Sequence, residues 1–291
     1  PPVDTTIYSG WNGLMVSSYL EGYRVLGKEE LRAFALKTLE FVWTHLSTPA
    51  GGVLHALTSE KPQQLYLFED QVYLARAFLD AFEITGEIHH LQRAEQLIRF
   101  ALERFWDRQA GGFFDTLPPA QDQALWQQSP KQILDHPIAA PNAVAAMVLD
   151  RLYYLTFKEE YREKAEATLQ AFAGGIPDYG LYAAGLVQAL FYHLYHPAQV
   201  VIVGQKEDPQ TQALWKKALS LYRPGKLVLL YEKDTSLLSP PPVVADILKA
   251  TPPERQPLAY VCAGNVCAPP TGDAEQMASL LHRIGRQDTD L

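Results

Sequence analysis

Two adjacent carboxylates, Glu69 and Asp70, open an apolar segment, and Asp135-His136 precedes another. Paired acids facing one cavity can protonate a leaving oxygen or take a proton from substrate or water, as sugar-cleaving and sugar-epimerising enzymes require. Neighbours on a helix point about 100° apart, so Glu69 and Asp70 cannot serve equally. The simpler account of Asp70 is a cap meeting the positive end of its helix. Asp115, after Gly111-Gly112, and His55 can reach the same rim or lie in solvated turns, and a histidine carries protons near neutral pH. Trp11, Tyr73, Phe113 and Phe114 can stack on sugar rings, although aromatics at helical spacing more commonly fill cores. Asn12 and Asn142 offer amides to a polar ligand or cap helix starts. The expected site is therefore Glu69, Asp70 and Asp135 as catalytic groups, with Trp11, Asn12, Tyr73, His136 and Asn142 binding substrate. No metal and no cofactor is expected.

The elements that must hold these residues repeat. Tyr19-Leu-Glu-Gly-Tyr-Arg-Val-Leu-Gly27 returns as Phe78-Leu-Asp-Ala-Phe-Glu-Ile-Thr-Gly86 and as Val148-Leu-Asp-Arg-Leu-Tyr-Tyr-Leu-Thr156. Asn12–Val25, Asp70–Ile84 and Asn142–Leu155 carry few charges and are apolar on most sides, the pattern of a helix buried all round. The stretch after each is amphipathic: Leu31, Ala35, Leu39, Val42 and Leu46 in the first, Leu91, Ala94, Ile98 and Phe105 in the second, Tyr161, Ala165 and Leu169 in the third. Each unit thus reads as an inner helix, a short turn at Gly27, Gly86 or Thr156, and an outer helix. Asn12, Asp70 and Asn142 lie near the inner starts, where side chains can cap free N–H groups. Gly51-Gly52 and Gly111-Gly112 read as turns into short extended arms, and Tyr182–Tyr195 as a seventh helix. Stacked units of about 60 residues indicate a solenoid or a closed α/α toroid.

From about residue 197 the pattern changes. Gln199–Gly204 and Lys226–Tyr231 read as strands around a helix over Gln210–Tyr222, one βαβ unit. Ala259–Cys262 reads as a third strand and Ala274–Ile284 as a closing helix after Thr271 and Asp273. Ser239-Pro-Pro-Pro242 and Pro252-Pro253 mark loops. The first turn, Gly204-Gln-Lys-Glu-Asp208, lacks the glycine spacing of a phosphate loop, and its acids repel phosphate. Cys262 and Cys267 have four intervening residues rather than two, which reads as a structural thiol pair in a reducing compartment rather than a reversible disulfide. The expected domains are 1–196, helical hairpins, and 197–291, a small α/β subdomain.

Composition narrows the function. Apolar residues make up 47% and charged residues 20%, as in a globular core. A formal charge of −8 disfavours nucleic acid, and no apolar run approaches the ~20 residues that span a bilayer. A first residue of Pro1 points to a piece of a longer chain, and a cytoplasmic location is expected.

Gly10-Trp-Asn-Gly-Leu-Met15, Leu67-Phe-Glu-Asp70, Phe105-Trp-Asp107 with Gly111-Gly112-Phe-Phe, Pro141-Asn-Ala-Val-Ala-Ala146, Val200-Val-Ile-Val-Gly204 and Ala259-Tyr-Val-Cys262 occur in an order that resembles the YyaL-like, spermatogenesis-associated thioredoxin-domain proteins. The resemblance covers essentially the whole chain. It implies a mainly α fold, a six-hairpin glycosidase-like α/α toroid left incomplete in this chain, with a small C-terminal α/β appendage. It also implies an N-terminal thioredoxin-like region and further hairpins absent here, so the expected partners are a sugar ligand and that missing region or half-toroid. Asp4-Thr5-Thr6, Ala139-Ala-Pro-Asn142 and Ser129-Pro130-Lys131 stand where the family shows Asp-Asp-Lys, Pro-Ser-Gly-Asn and Arg-Pro-Lys. Two functions follow: a carbohydrate-binding or sugar-modifying domain of the epimerase or glycosidase class, or a non-catalytic helical scaffold that positions the thioredoxin-like domain or a partner protein.

Overall fold

The computed structural model describes residues 3–58, 61–117, 130–195, 197–232, 242–251, 256–264 and 266–284. The chain divides into two compact units. The first comprises residues 1–82, 89–153 and 158–193, and the second 194–291 together with 83–88 and 154–157.

The first unit is a row of helical hairpins. Helices α1 (Ser9–Leu26) and α2 (Glu29–Leu46) form one pair, α3 (Phe68–Thr85) and α4 (Ile88–Arg104) the next, and α5 (Pro141–Thr156) and α6 (Glu159–Ala173) a third. The short α7 (Ile176–Tyr179) and a 3-10 turn lead into α8 (Ala184–Leu194). Gly27 (φ 66°) and Gly86 (φ 69°) take the left-handed conformation that stops a helix and turns the chain. In the third hairpin that conformation falls on Phe157 (φ 54°), one residue beyond the expected Thr156.

Helices α3 and α5 are buried on nearly every side, as their composition predicts. Helix α1 is not: Met15, Val25 and Leu26 are 51%, 68% and 61% exposed. It packs against α2 and, through Gly13, against α3. Each arm is a short antiparallel excursion. Ser47 bridges Val53 across Gly51-Gly52, and Trp106 bridges Phe113 across Gly111-Gly112. The first arm extends into a sheet ordered β1-β2-β3, with β1 (Ile7–Tyr8), β2 (Ala56–Thr58) and β3 (Lys61–Pro62) all antiparallel.

The second unit holds the expected βαβ element. β4 (Ala198–Val203) pairs in parallel with β5 (Leu227–Tyr231) across α9 (Pro209–Ser220). β6 (Leu258–Ala263) runs antiparallel to β4, and β7 (Val266–Cys267) antiparallel to β6, in the order β5-β4-β6-β7. Helix α11 (Ala274–Arg283) is capped by Asp273, whose carboxylate accepts the Gln276 N–H. The sequence reading missed α10 (Pro242–Ala250): Pro242, read as loop, is its first residue, where proline's fixed φ is tolerated. Asp208 caps α9 by accepting the Thr211 N–H, so the chain's own carboxylate fills the place a phosphate would take. Ser239, Pro252 and Pro253 lie outside the described residues.

The cysteine expectation is corrected. Cys262 and Cys267 are joined in a disulfide, not left as thiols. The tight turn after Ala263 makes them direct cross-strand partners with Cα atoms 4.0 Å apart. Spacing along the chain gave no sign of that register.

Candidate functional site

The site forms in the first unit, where α1 and α3 begin side by side. Gly10 and Gly13 allow the approach: a Cβ on Gly13 would stand 2.9 Å from the Tyr73 carbonyl oxygen. The Gly10 N–H, one of the free donors of the first turn of α1, reaches Asp70 Oδ1 at 2.8 Å. Asp70 therefore caps the neighbouring helix rather than its own. Its Oδ2 meets His55 Nδ1 at 2.9 Å. The arm fixes His55 by its backbone: its carbonyl accepts the Ser9 N–H and its N–H donates to Leu65. The Tyr8 ring packs between His55, at 5.1 Å, and Trp11, at 4.8 Å. Trp11 presents its indole to solvent at 61% exposure, while Asp70 is 1% exposed.

The two adjacent acids divide their roles as the helical 100° step requires. Asp70 turns inward to Gly10 and His55. Glu69 is half-buried, and its carboxylate has no hydrogen-bond partner among the described residues. Burial pushes Asp70 above the usual carboxylate range, against the pull of His55 and the Gly10 N–H. The hydrogen bond to Asp70 in turn raises His55, so the pair keeps a proton where a free imidazole has lost it. Burial, reinforced by the Asp70 charge, raises Glu69. Asp115 is raised by burial and by Glu69, although the Gln132 N–H bound to its Oδ1 opposes the shift.

Tyr73 is fully buried and ties this group to the next loop, its hydroxyl donating to the Ala139 carbonyl at 2.6 Å. Asp135 lies in that loop and contributes to the field at Tyr73. Both its oxygens accept backbone N–H groups, Ala140 at 2.8 Å and Gly185 at 2.6 Å, so it fastens the loop to the first turn of α8. His136 is exposed and stacks on Tyr182 with centroids 6.5 Å apart. Asn12 donates its amide to the Tyr8 carbonyl at 2.8 Å.

Asn142 is fully buried and grips the second arm. Its Oδ1 accepts the Phe113 N–H, and its Nδ2 donates to the Phe113 and Gln132 carbonyls. Phe113 is buried against Phe68, stacked at 4.5 Å, while Phe114 lies under the Lys131 ammonium. Gln71, which sequence reasoning passed over, does for the first arm what Asn142 does for the second: its amide exchanges hydrogen bonds with the Val53 N–H and carbonyl. The available signal was the shared context, an amide in an inner helix's first turn downstream of a Gly-Gly turn.

Glu69 and Asp70 therefore come together with His55, and Trp11 joins them through the Tyr8 ring. Tyr73 and Asp135 bond instead to the backbone of the next loop and of α8, at Ala139, Ala140 and Gly185, and Asn12 and Asn142 are likewise engaged in holding backbone. His55, Glu69 and Asp70 are also the one group of metal-type ligands among the described residues, with donor atoms within 4.8 Å of one another. Asp70 already has both oxygens engaged, which leaves Glu69 and the second imidazole nitrogen as the open donors.

No protein-family model matches the chain. It is 29% identical to spermatogenesis-associated protein 20 of Homo sapiens over 97% of its own length and 37% of that protein. It is 26% identical to the protein of the same name from Rattus norvegicus, over 97% of this chain and 36% of that one. The chain thus spans little more than a third of the length of these curated relatives. Among solved structures, a GH76 α-mannanase from Bacteroides thetaiotaomicron superposes with a TM-score of 0.52 and 15% identity, over 63% of this chain and 51% of that one. A cellobiose 2-epimerase from Spirochaeta thermophila gives 0.51 and 14%, over 66% and 56%. At that identity the likeness is one of fold: the six-hairpin glycosidase-like α/α toroid.

Proposed function

We propose, for a chain that is homologous to spermatogenesis-associated protein 20 along 97% of its length, that its hairpin unit is a carbohydrate-handling domain whose working groups are His55, Glu69 and Trp11. One observation carries this reading: the His55 imidazole and the half-buried Glu69 carboxylate stand within 4.8 Å of one another, with the exposed Trp11 indole on the other side of the Tyr8 ring. Trp11 and Tyr8 offer a face on which a sugar ring stacks. Asp70 fixes the His55 ring, so that its Nε2 is the atom that gives or takes a proton. Glu69, raised by burial, is the second acid/base. Proton transfer by two such groups suits epimerisation or glycoside cleavage. Asp135, Tyr73, His136 and Asn142 hold the surrounding loops. The missing half-toroid is the proposed partner that completes the cavity.

The test is a panel of mono- and disaccharides, mannose- and glucose-containing sugars among them, read by thermal shift and calorimetry on the full chain. A sugar that stabilises the wild type and loses at least ten-fold in affinity with Trp11→Ala supports the proposal. A panel that leaves both proteins unmoved rejects it.

The exposed apolar side chains on the first hairpin favour a second reading, a non-catalytic scaffold. Met15, Val25, Leu26 and Phe34 make the kind of patch that partners cover. That reading fails if Glu69→Gln removes a measured turnover while the fold survives.

A further inference from the structure

The disulfide Cys262–Cys267 links two strands that a tight turn has already placed side by side. A crosslink constrains the unfolded chain more the longer the loop it closes, and this one closes a loop of four intervening residues. Its value as a staple is therefore small.

Its surroundings differ on the two sides. Cys262 is 2% exposed within the sheet. Cys267 is exposed on β7, the outermost strand, whose far side has no partner strand among the described residues. Val266, Pro269 and Pro270 around it are exposed as well. An unpaired edge accepts an extended segment by backbone pairing, which here would deliver a thiol to Cys267 rather than to Cys262.

We propose that Cys262–Cys267 is a thiol–disulfide exchange site, opened at Cys267 by a protein carrying a dithiol. The partner's thiolate attacks Cys267 Sγ. The Cys262–Cys267 bond breaks, and its electron pair leaves on Cys262 Sγ, which takes up a proton. The partner's second thiolate then attacks its own sulfur in the mixed disulfide, forming the partner's disulfide and releasing Cys267 as a thiolate. The partner loses two electrons and this pair gains them.

The full chain is equilibrated in glutathione buffers of graded oxidised-to-reduced ratio and, separately, in dithiothreitol, then acid-quenched, alkylated and weighed intact. Interconversion of both forms in the folded protein, with the dithiol effective at lower concentration than glutathione, supports the proposal. A bond that survives millimolar dithiothreitol until urea unfolds the chain overturns it, and so does a pair that stays fully reduced in excess oxidised glutathione. Single variants test the direction of attack: oxidised glutathione should label Cys267 in Cys262→Ser and leave Cys262 unlabelled in folded Cys267→Ser. The reverse pattern overturns the assignment of Cys267.

Discussion

Asp70 Oδ1 accepts the Gly10 N–H at 2.8 Å, so an acid on one inner helix closes the first turn of the inner helix before it. The same carboxylate orients His55. Stability of the hairpin row and placement of the proton-carrying group thus depend on one buried side chain. Asp70→Ala leaves the buried Gly10 donor and the partly exposed His55 ring without their partner, a loss of about 2 kcal/mol. Asp70→Asn keeps an acceptor for Gly10 and should lose less. Urea unfolding distinguishes them, and equal losses for the two variants would contradict a role resting on hydrogen bonding.

Stability should fall as pH rises above neutrality. His55 and His193 are both raised from 6.5, each by a hydrogen bond to a buried acid, Asp70 and Asp150. The native state then holds more protons than the unfolded state, so the slope of stability against pH is negative. The contribution is complete below pH 6.5 and disappears as pH climbs through the raised values. Burial raises Asp70 and Asp150 from 3.8, which adds the same sign in a lower window. Urea midpoints measured from pH 6 to 9 should decline, and less steeply in a His55→Gln/His193→Gln double variant. A flat wild-type profile would count against the assignment.

The hairpin periodicity was plain in the sequence because burial forces apolar residues into α3 and α5 on every side. The site was legible only in outline. Glu69, Asp70 and Trp11 announced themselves by type and place. The partners of Asp70, however, lie 60 and 15 positions away, at Gly10 and His55, and no local pattern encodes them. Gln71 was invisible for the same reason: its importance comes from the Val53 backbone that the fold brings to it. The α1 segment resembles the buried helices in composition, yet Val25 and Leu26 stay exposed. Composition reports what a helix can bury, not how many neighbours it has.

The glycines of α1 should respond in opposite directions. A Cβ at Gly13 meets the Tyr73 backbone at 2.9 Å, which cannot yield, so Gly13→Ala should cost about 2 kcal/mol by forcing α1 from α3. A Cβ at Gly22 meets only the movable Leu31 Cδ1 at 3.2 Å. There alanine removes unfolded-state freedom, and Gly22→Ala should gain about 0.5 kcal/mol. Thermal melts of the two variants should move to opposite sides of the wild type. Two shifts of the same sign would mean that close packing at Gly13 is not what sets its identity.

A second set of acids links the inner helices lower in the row. Asp80 on α3 pairs with Arg151 of α5 at 2.9 Å, and Asp150, beside that arginine, pairs with His193 of α8 at 2.9 Å. Asp80 and Asp150 occupy matching positions in the repeated segment, so α3 is tied to α5 and α5 to α8 by one carboxylate each, whereas the matching Glu21 of α1 pairs with Arg24 on its own helix. Burial pushes Asp80 up, but the positive fields of Arg151, Arg24 and Arg76 outweigh it and leave its carboxyl below the usual range. Its contribution is therefore present above pH 3.8 and is lost as acid carries the solution through the lowered value. Asp80→Asn strips the counter-charge from several guanidinium groups at once and should cost about 3 kcal/mol. Arg151→Met removes one cation, while Asp80 keeps the fields of Arg24 and Arg76, so its cost should be smaller, about 2 kcal/mol. Measured at pH 7 by urea unfolding, a larger loss for Arg151→Met than for Asp80→Asn would overturn this ordering and with it the claim that Asp80 is the shared centre of the cluster.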